Sequence, residues 1–101
     1  MDFQARSTPE AIEARLTGRL EFTDHDRLRE IVVLIEESRS QRFVIDLSKL
    51  EFIDSAGLGM LLILQEEAES RSIPMTVRGA QGDALRSIEL ARLGDILTII
   101  K

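Results

Sequence analysis

The spacing of apolar positions changes along the chain, and each change marks an element. Residues 2–6 fit a short edge strand, and Ser7-Thr8-Pro9-Glu10 reads as a turn. From Ala11 to Thr17 apolar and polar residues alternate. That predicts a half-buried strand with Ile12, Ala14 and Leu16 on one face, ended by Gly18. Arg19-Leu20-Glu21-Phe22 is then a connecting loop. Thr23-Asp24-His25-Asp26 opens a helix, with Thr23 as the cap and Asp26 reaching back as a capping box does. Leu28, Ile31, Val32 and Ile35 follow at helical spacing among Arg27, Arg29, Glu30, Glu36 and Glu37. This is an amphipathic helix that stops near Ser38-Arg39-Ser40.

Phe43-Val44-Ile45-Asp46-Leu47 reads as a buried central strand, and Ser48-Lys49-Leu50-Glu51 leads out of it. A second helix begins near Ala56 with Leu58, Met60, Leu61, Leu62, Ile63 and Leu64. Its first two turns are apolar almost all round, so they should be contacted on most sides. From Gln65 to Arg71 the helix turns polar and should leave the core. Ile73-Pro74-Met75-Thr76-Val77-Arg78 is the next strand, with Pro74 at its start, where a missing N–H is tolerated. Gly79 to Asp83 is a loop. Ala84, Leu85, Ile88 and Leu93 predict a third helix closed by Gly94, and Ile96 to Ile100 a last strand.

The order is β-β-α-β-α-β-α-β. Strands separated by helices pair in parallel through right-handed crossovers, and only the first two fit a hairpin. The fold class is α/β: one domain over residues 1–101, a mixed and mostly parallel sheet backed by helices.

Composition narrows the function. A length of 101 residues suits a single domain, with 44% hydrophobic and 31% charged residues. There is no Cys, which excludes disulfides, thiolate metal sites and thiol nucleophiles. Met1-Asp2-Phe3-Gln4-Ala5-Arg6 lacks the layout of a signal peptide. An apolar run such as Met60 to Leu64 is far short of a membrane span. These features read as a soluble cytoplasmic protein with no direct membrane insertion. The net charge is −5, the eleven arginines are scattered, and the aromatic residues are four Phe, so nucleic acid is not the expected partner. A protein with a basic or mixed face suits the charge better.

The chemistry centres on Phe52-Ile53-Asp54-Ser55-Ala56-Gly57-Leu58-Gly59-Met60, where a strand exit joins the apolar helix. Ser55 is a good N-cap residue beside the positive end of a helix, a place suited to a phosphoryl group. Gly57 and Gly59 leave the backbone there without side-chain cover. A plain cap and a phosphorylation site are about evenly matched on spacing alone; the glycines and the apolar Leu58 and Met60 tilt toward the phosphosite. His25 is the one histidine, read as solvated or capping, and nothing in the spacing joins it to Ser55 in a triad. Gly57-Leu58-Gly59 lacks the third glycine of a dinucleotide fingerprint, and no Gly-Lys-Ser/Thr phosphate loop exists. No catalytic residue, metal or cofactor is expected. Asp46 is either a phosphoacceptor at a strand end or, as favoured, a buried acid satisfied by loop N–H groups.

At this point the residues resemble a family. Val44-Ile45-Asp46-Leu47, then Asp54-Ser55-Ala56-Gly57-Leu58-Gly59 and the leucine-rich helix, with Leu16-Thr17-Gly18-Arg19-Leu20-Glu21 upstream, are similar to the STAS domain of bacterial anti-sigma factor antagonists. The likeness runs from about residue 11 to 100. It implies partner switching. The unphosphorylated antagonist binds an anti-sigma factor that is often also a serine kinase; phosphorylation of the serine after the motif Asp blocks binding, and a PP2C-type phosphatase restores it. That serine falls on Ser55. Two departures stand out: the second hydroxyl of many members is Ala56 here, and the loop acid that is often Asp is Glu21.

The expected partner surface is Glu21, Phe22 and the turn Asp54, Ser55, Ala56, Gly57, Leu58, Gly59 and Met60, with Arg19 at its rim. Phe22 is an interface anchor or a core plug, core being favoured. Two rivals stand beside this reading: one keeps the fold and drops the switch, a structural or regulatory subunit of a membrane transport assembly; the other is an enzyme, a small hydrolase using Ser55, against which the lack of a placed histidine counts.

Overall fold

The structure, a computed structural model, describes residues 1–100; the domain expected over 1–101 ends on Lys101, which lies outside the described residues. Strands β1 (Asp2–Ser7) and β2 (Ala11–Leu20) lead to α1 (His25–Glu37) and β3 (Arg42–Ile53). Then come α2 (Ser55–Ser70), β4 (Met75–Arg78), α3 (Gly82–Leu90) and β5 (Thr98–Ile100). Short 3-10 turns occupy Phe22–Asp24 and Leu93–Asp95. The five strands lie in the sheet in chain order, β1-β2-β3-β4-β5. β1 and β2 are antiparallel, and every later neighbour pair is parallel. The expected α/β class and the hairpin-then-crossover order both hold.

Register explains the core. Ile12 pairs with Phe43 and Ala14 with Ile45; Phe43 and Ile45 pair in turn with Met75 and Val77. Side chains alternate across a strand, so these share one face, and all six are buried. Leu28, Ile31 and Ile35 of α1 and Met60, Leu61, Leu64 and Ala68 of α2 are buried in the same core. They recur at three- and four-residue steps, the spacing that stacks side chains on one helix face.

Several boundaries differ from the sequence reading. Gly18 does not end β2. It sits inside the strand at φ +80, a conformation that favours glycine, where the β2–β3 register shifts. The strand therefore continues through Arg19 and Leu20, which are not loop. β3 likewise runs on through Ser48-Lys49-Leu50-Glu51 to Ile53, paired along β2. Asp24, not Thr23, occupies the N-cap position of α1, and its side chain makes no bond to that helix; its carboxylate accepts the Glu21 N–H at 2.7 Å, so the box closes around the preceding 3-10 turn. α2 does not leave the core after Gln65, because Ala68 is fully buried. Pro74 precedes β4 rather than starting it, and its carbonyl accepts the Phe43 N–H at 2.9 Å. α3 already begins at Gly82 and stops at Leu90, so Leu93 and Gly94 belong to a separate turn.

Asp46 is not at a strand end. It is buried in mid-β3, on the sheet face opposite the core. Its Oδ1 accepts the Ser48 N–H at 2.8 Å, and Oδ2 accepts from Arg78 Nη2 at 3.2 Å. Arg15 Nε lies 3.6 Å away, and Arg78 also reaches Glu13 at 2.7 Å. Burial alone would push this carboxyl up; hydrogen bonds from Ser48 and Arg78 outweigh it and hold the pKa at about 2. A carboxyl held below its unfolded value stabilises the fold above that value and loses the effect as pH falls through the folded one. Asp46 should thus contribute about 2 kcal/mol at neutral pH, lost between roughly pH 4 and pH 2. Urea unfolding across that window should show a shallower acid loss for Asp46→Asn than for wild type; parallel curves would reject the assignment.

Candidate functional site

The site forms where the ends of β2 and β3 lie side by side. Leu20 pairs with Ile53, and the Asp54 N–H donates to the Leu20 carbonyl at 3.1 Å. Asp54, not Ser55, is the N-cap of α2. Its backbone is extended (φ −94, ψ −178), and its Oδ1 accepts the Gly57 N–H at 2.7 Å. Its other oxygen, Oδ2, accepts the Phe22 N–H at 3.2 Å. One carboxylate therefore caps the helix and ties down the loop after β2.

Ser55 is the first residue of α2 and is exposed. The N–H groups of a first helical turn have no acceptor in the i→i−4 ladder, and the helix dipole is positive there. The Ser55 hydroxyl stands beside that end, with the Asp54 negative charge next to it in sequence.

The two glycines do different work. An added Cβ on Gly57 would sit 2.5 Å from the Leu20 carbonyl oxygen and 2.7 Å from Ile53 Cγ1. Gly57 is thus a buried close-approach residue and does not uncover the surface. A Cβ on Gly59 would meet nothing within 4 Å, so Gly59 does leave open backbone. Met60 points into the core at 1% exposure. Gly57 and Met60 are therefore buried beneath the expected partner surface. Ala56, Leu58 and Gly59 are half-buried and remain on it.

Phe22 is 67% exposed, which overturns the core assignment. Its ring meets His25 edge to face, with centroids 5.5 Å apart, and the exposed His25 is the first residue of α1. Arg19 lies with its guanidinium 4.1 Å above the Phe52 ring and its Nε 3.3 Å from Glu21 Oε1. That contact sets Arg19 and Glu21 in place at the edge of the loop. Around α2, Leu62 is half-buried and Ile63 exposed, so the helix keeps an apolar outer strip. These two and Phe52 were not among the expected site residues. The all-round apolar character of the helix was the signal for the first two; the pairing of Phe52 with Arg19 had none.

Three comparisons bear on this arrangement. The profile of the family described as "Mlab, STAS domain" matches residues 3–99. A STAS-domain containing protein of Pseudomonas aeruginosa is 22% identical over 85 residues, covering 84% of this chain and 83% of its own. Among solved structures, a candidate anti-sigma factor antagonist from Thermotoga maritima aligns with a TM-score of 0.87 at 17% identity, over 98% of this chain and 86% of that one. The anti-sigma factor antagonist SpoIIAA in its unphosphorylated form aligns at 0.75 and 20% identity, over 99% and 88%. A sulfate transporter family protein from Wolinella succinogenes aligns at 0.65 and 23% identity, over 89% and 75%.

Proposed function

The chain belongs to the STAS domain family, and on that premise we propose that it is an anti-sigma factor antagonist that works by partner switching. Unphosphorylated, it binds an anti-sigma factor that is also a serine kinase. Phosphorylation of Ser55 releases it, and a PP2C-type phosphatase resets it. The chain is then the kinase's substrate and not an enzyme; ATP and Mg²⁺ belong to the kinase.

The observation that carries this reading is the exposed Ser55 hydroxyl at the start of α2, flanked by the exposed Phe22 and the apolar outer strip of the helix. A kinase can reach the hydroxyl, and a partner can bury the apolar side chains around it. An interface of ordinary size takes about 800 Å² from each partner, enough to span both the loop at Phe22 and the first turns of α2. The likeness to SpoIIAA supports the fold of this reading, and that protein is known in a phosphorylated form.

Incubation with kinase-type anti-sigma factors of the same genome and labelled ATP tests the proposal. Label should appear on Ser55, and Ser55→Ala should stay unlabelled while still binding. Labelling that persists in Ser55→Ala would move the site elsewhere. The likeness to a sulfate transporter family protein favours a second reading, a subunit of a membrane transport assembly. Among the described residues no helix is long and apolar enough to cross a membrane, so in that reading the chain docks on other subunits. Co-purification with transport subunits, without phosphate on Ser55, separates the two.

A further inference from the structure

We infer that the open face of the sheet over β1, β2 and β3 is a docking surface for an acidic polypeptide segment in extended conformation. The buried residues of all three helices join one core, on the sheet face of Ile12, Phe43 and Val77. On the opposite face Gln4, Arg6, Arg15 and Arg42 are exposed, and Glu13, Val44, Thr76 and Arg78 are only half-buried. Neighbouring strands from β2 to β5 are all parallel, and parallel sheets are ordinarily covered on both faces. A sheet of this kind with one face bare leaves room for a partner there.

Register arranges this face in rows across the strands. Ala11 faces Arg42, Glu13 lies between Arg6 and Val44, Arg15 between Gln4 and Asp46, and Thr17 between Asp2 and Lys49. Arg78 joins the Arg15 row through Asp46. The rows therefore hold more cations (Arg6, Arg15, Arg42, Lys49, Arg78) than acids (Asp2, Glu13, Asp46), whereas the whole chain has 13 cations against 18 acids. Those acids are already engaged. Asp46 lies 3.2 Å from Arg78 and 3.6 Å from Arg15, Glu13 lies 2.7 Å from Arg78, and Asp2 lies 3.4 Å from Arg27 of α1. Among the described residues Arg6, Arg42 and Lys49 have no ion-pair partner. The charge left over on this face is of one sign, and it is opposite to the net charge of the chain, −5.

Two recesses adjoin along these rows, one of about 360 Å³ holding Arg6, Glu13 and Arg15, the other of about 480 Å³ holding Arg15, Thr17 and Lys49. They share Gln4 and Arg15, so they join into one trough along β2. Side chains on one face of a strand recur at about 6.6 Å, and those of an extended peptide recur at the same interval. Carboxylates at alternate positions of such a peptide meet successive rows, where arginine offers paired N–H donors that fit a carboxylate. The rows carry no aromatic side chain on which a base could stack, which disfavours single-stranded nucleic acid. On β1 to β3 their one sizeable apolar side chain, Val44, is half-buried, and charge without apolar insertion holds a membrane weakly. None of the residues around Ser55 lies on these rows, so the surface is independent of the switch.

Fluorescence anisotropy of a labelled peptide of alternating Glu and Ser, titrated with the intact chain, tests it. About eight residues suffice, since the rows from Ala11 to Thr17 span roughly 20 Å. Saturable binding at low salt is expected, weakening as salt is raised, with none for the same peptide carrying Gln in place of Glu. Lys49→Glu and Arg6→Glu, both at exposed positions, should each raise the dissociation constant at least about tenfold without moving the thermal midpoint. Arg29→Glu makes the same change of charge at an exposed position of α1 and should leave binding intact. No binding at low salt overturns the proposal, and so does an equal loss in Arg29→Glu and Lys49→Glu. Tighter binding to vesicles of anionic phospholipid than to the peptide assigns the face to a membrane and overturns it as well.

Discussion

On the proposed partner-switching reading, phosphorylation at Ser55 should weaken binding to an anti-sigma factor at least about 100-fold, a loss of ~2.8 kcal/mol. A phosphoryl group adds about −1.5 to −2 charges at neutral pH. It would stand beside Asp54 and among Phe22, Leu58 and the outer strip of α2, the groups a partner has to cover. The helix N-terminus returns only about 0.3–1 kcal/mol of that charge. Covering a phosphate with a partner that must also bury these apolar side chains strips its water without pairing it, and that desolvation exceeds the return from the helix. Ser55→Asp adds a single charge and should lose about tenfold, roughly 1.4 kcal/mol. Neither change reaches the core, because Ser55 is exposed. Thermal midpoints should therefore stay close while calorimetric affinities diverge. Equal affinity for the phosphorylated and unmodified chains would exclude charge as the switch.

Gly57→Ala should destabilise the domain by about 2 kcal/mol, whereas Gly59→Ala, two residues along the same helix, should stabilise it by about 0.5–1 kcal/mol. Ala is the better helix former at both positions. At Gly57 the new methyl group meets the Leu20 carbonyl oxygen at 2.5 Å. That atom is backbone, held in the junction of β2 with β3, and cannot step aside as a flexible side chain would. Forcing it outward should also disturb the Leu20–Asp54 hydrogen bond and, through Asp54, the position of Phe22. At Gly59 no atom opposes the methyl group, so only the propensity gain remains. For a domain of this size, 1 kcal/mol is about 4–8 °C in thermal midpoint, so midpoints of opposite sign relative to wild type decide the matter. Two similar shifts would mean that the close approach at Gly57 is not tight.

The order of elements was legible where an element carries a clean period or an unbroken apolar run. Ile12, Ala14 and Leu16 alternate, and Leu28, Ile31 and Ile35 follow the helix. Ends were less legible, for a physical reason in each case. Gly18 reads locally as a stop, yet a register shift absorbs its positive φ and lets β2 run on. Ser48 and Lys49 look like loop, but β3 has a long partner in β2, and pairing along that partner keeps the strand extended. The site shows the same division. Exposure of Ser55 at a helix start follows from local chemistry alone. The cap passed to Asp54 because its carboxylate reaches the Gly57 N–H, one residue earlier than expected. That Asp54 also holds the Phe22 N–H depends on β2 and β3 lying side by side, which no local pattern encodes. Phe22 was misplaced for the same reason: an apolar residue in a loop does not reveal which way the loop faces.

The central claim is that Ser55 carries a removable phosphate. Intact mass of the chain purified from its own cells, before and after phosphatase treatment and with peptide mapping, tests it most directly. The expected result is a phosphorylated fraction that maps to Ser55, disappears with phosphatase and changes with growth condition. A chain unmodified in every condition and found with membrane transport subunits would contradict the switch and establish the subunit reading in its place.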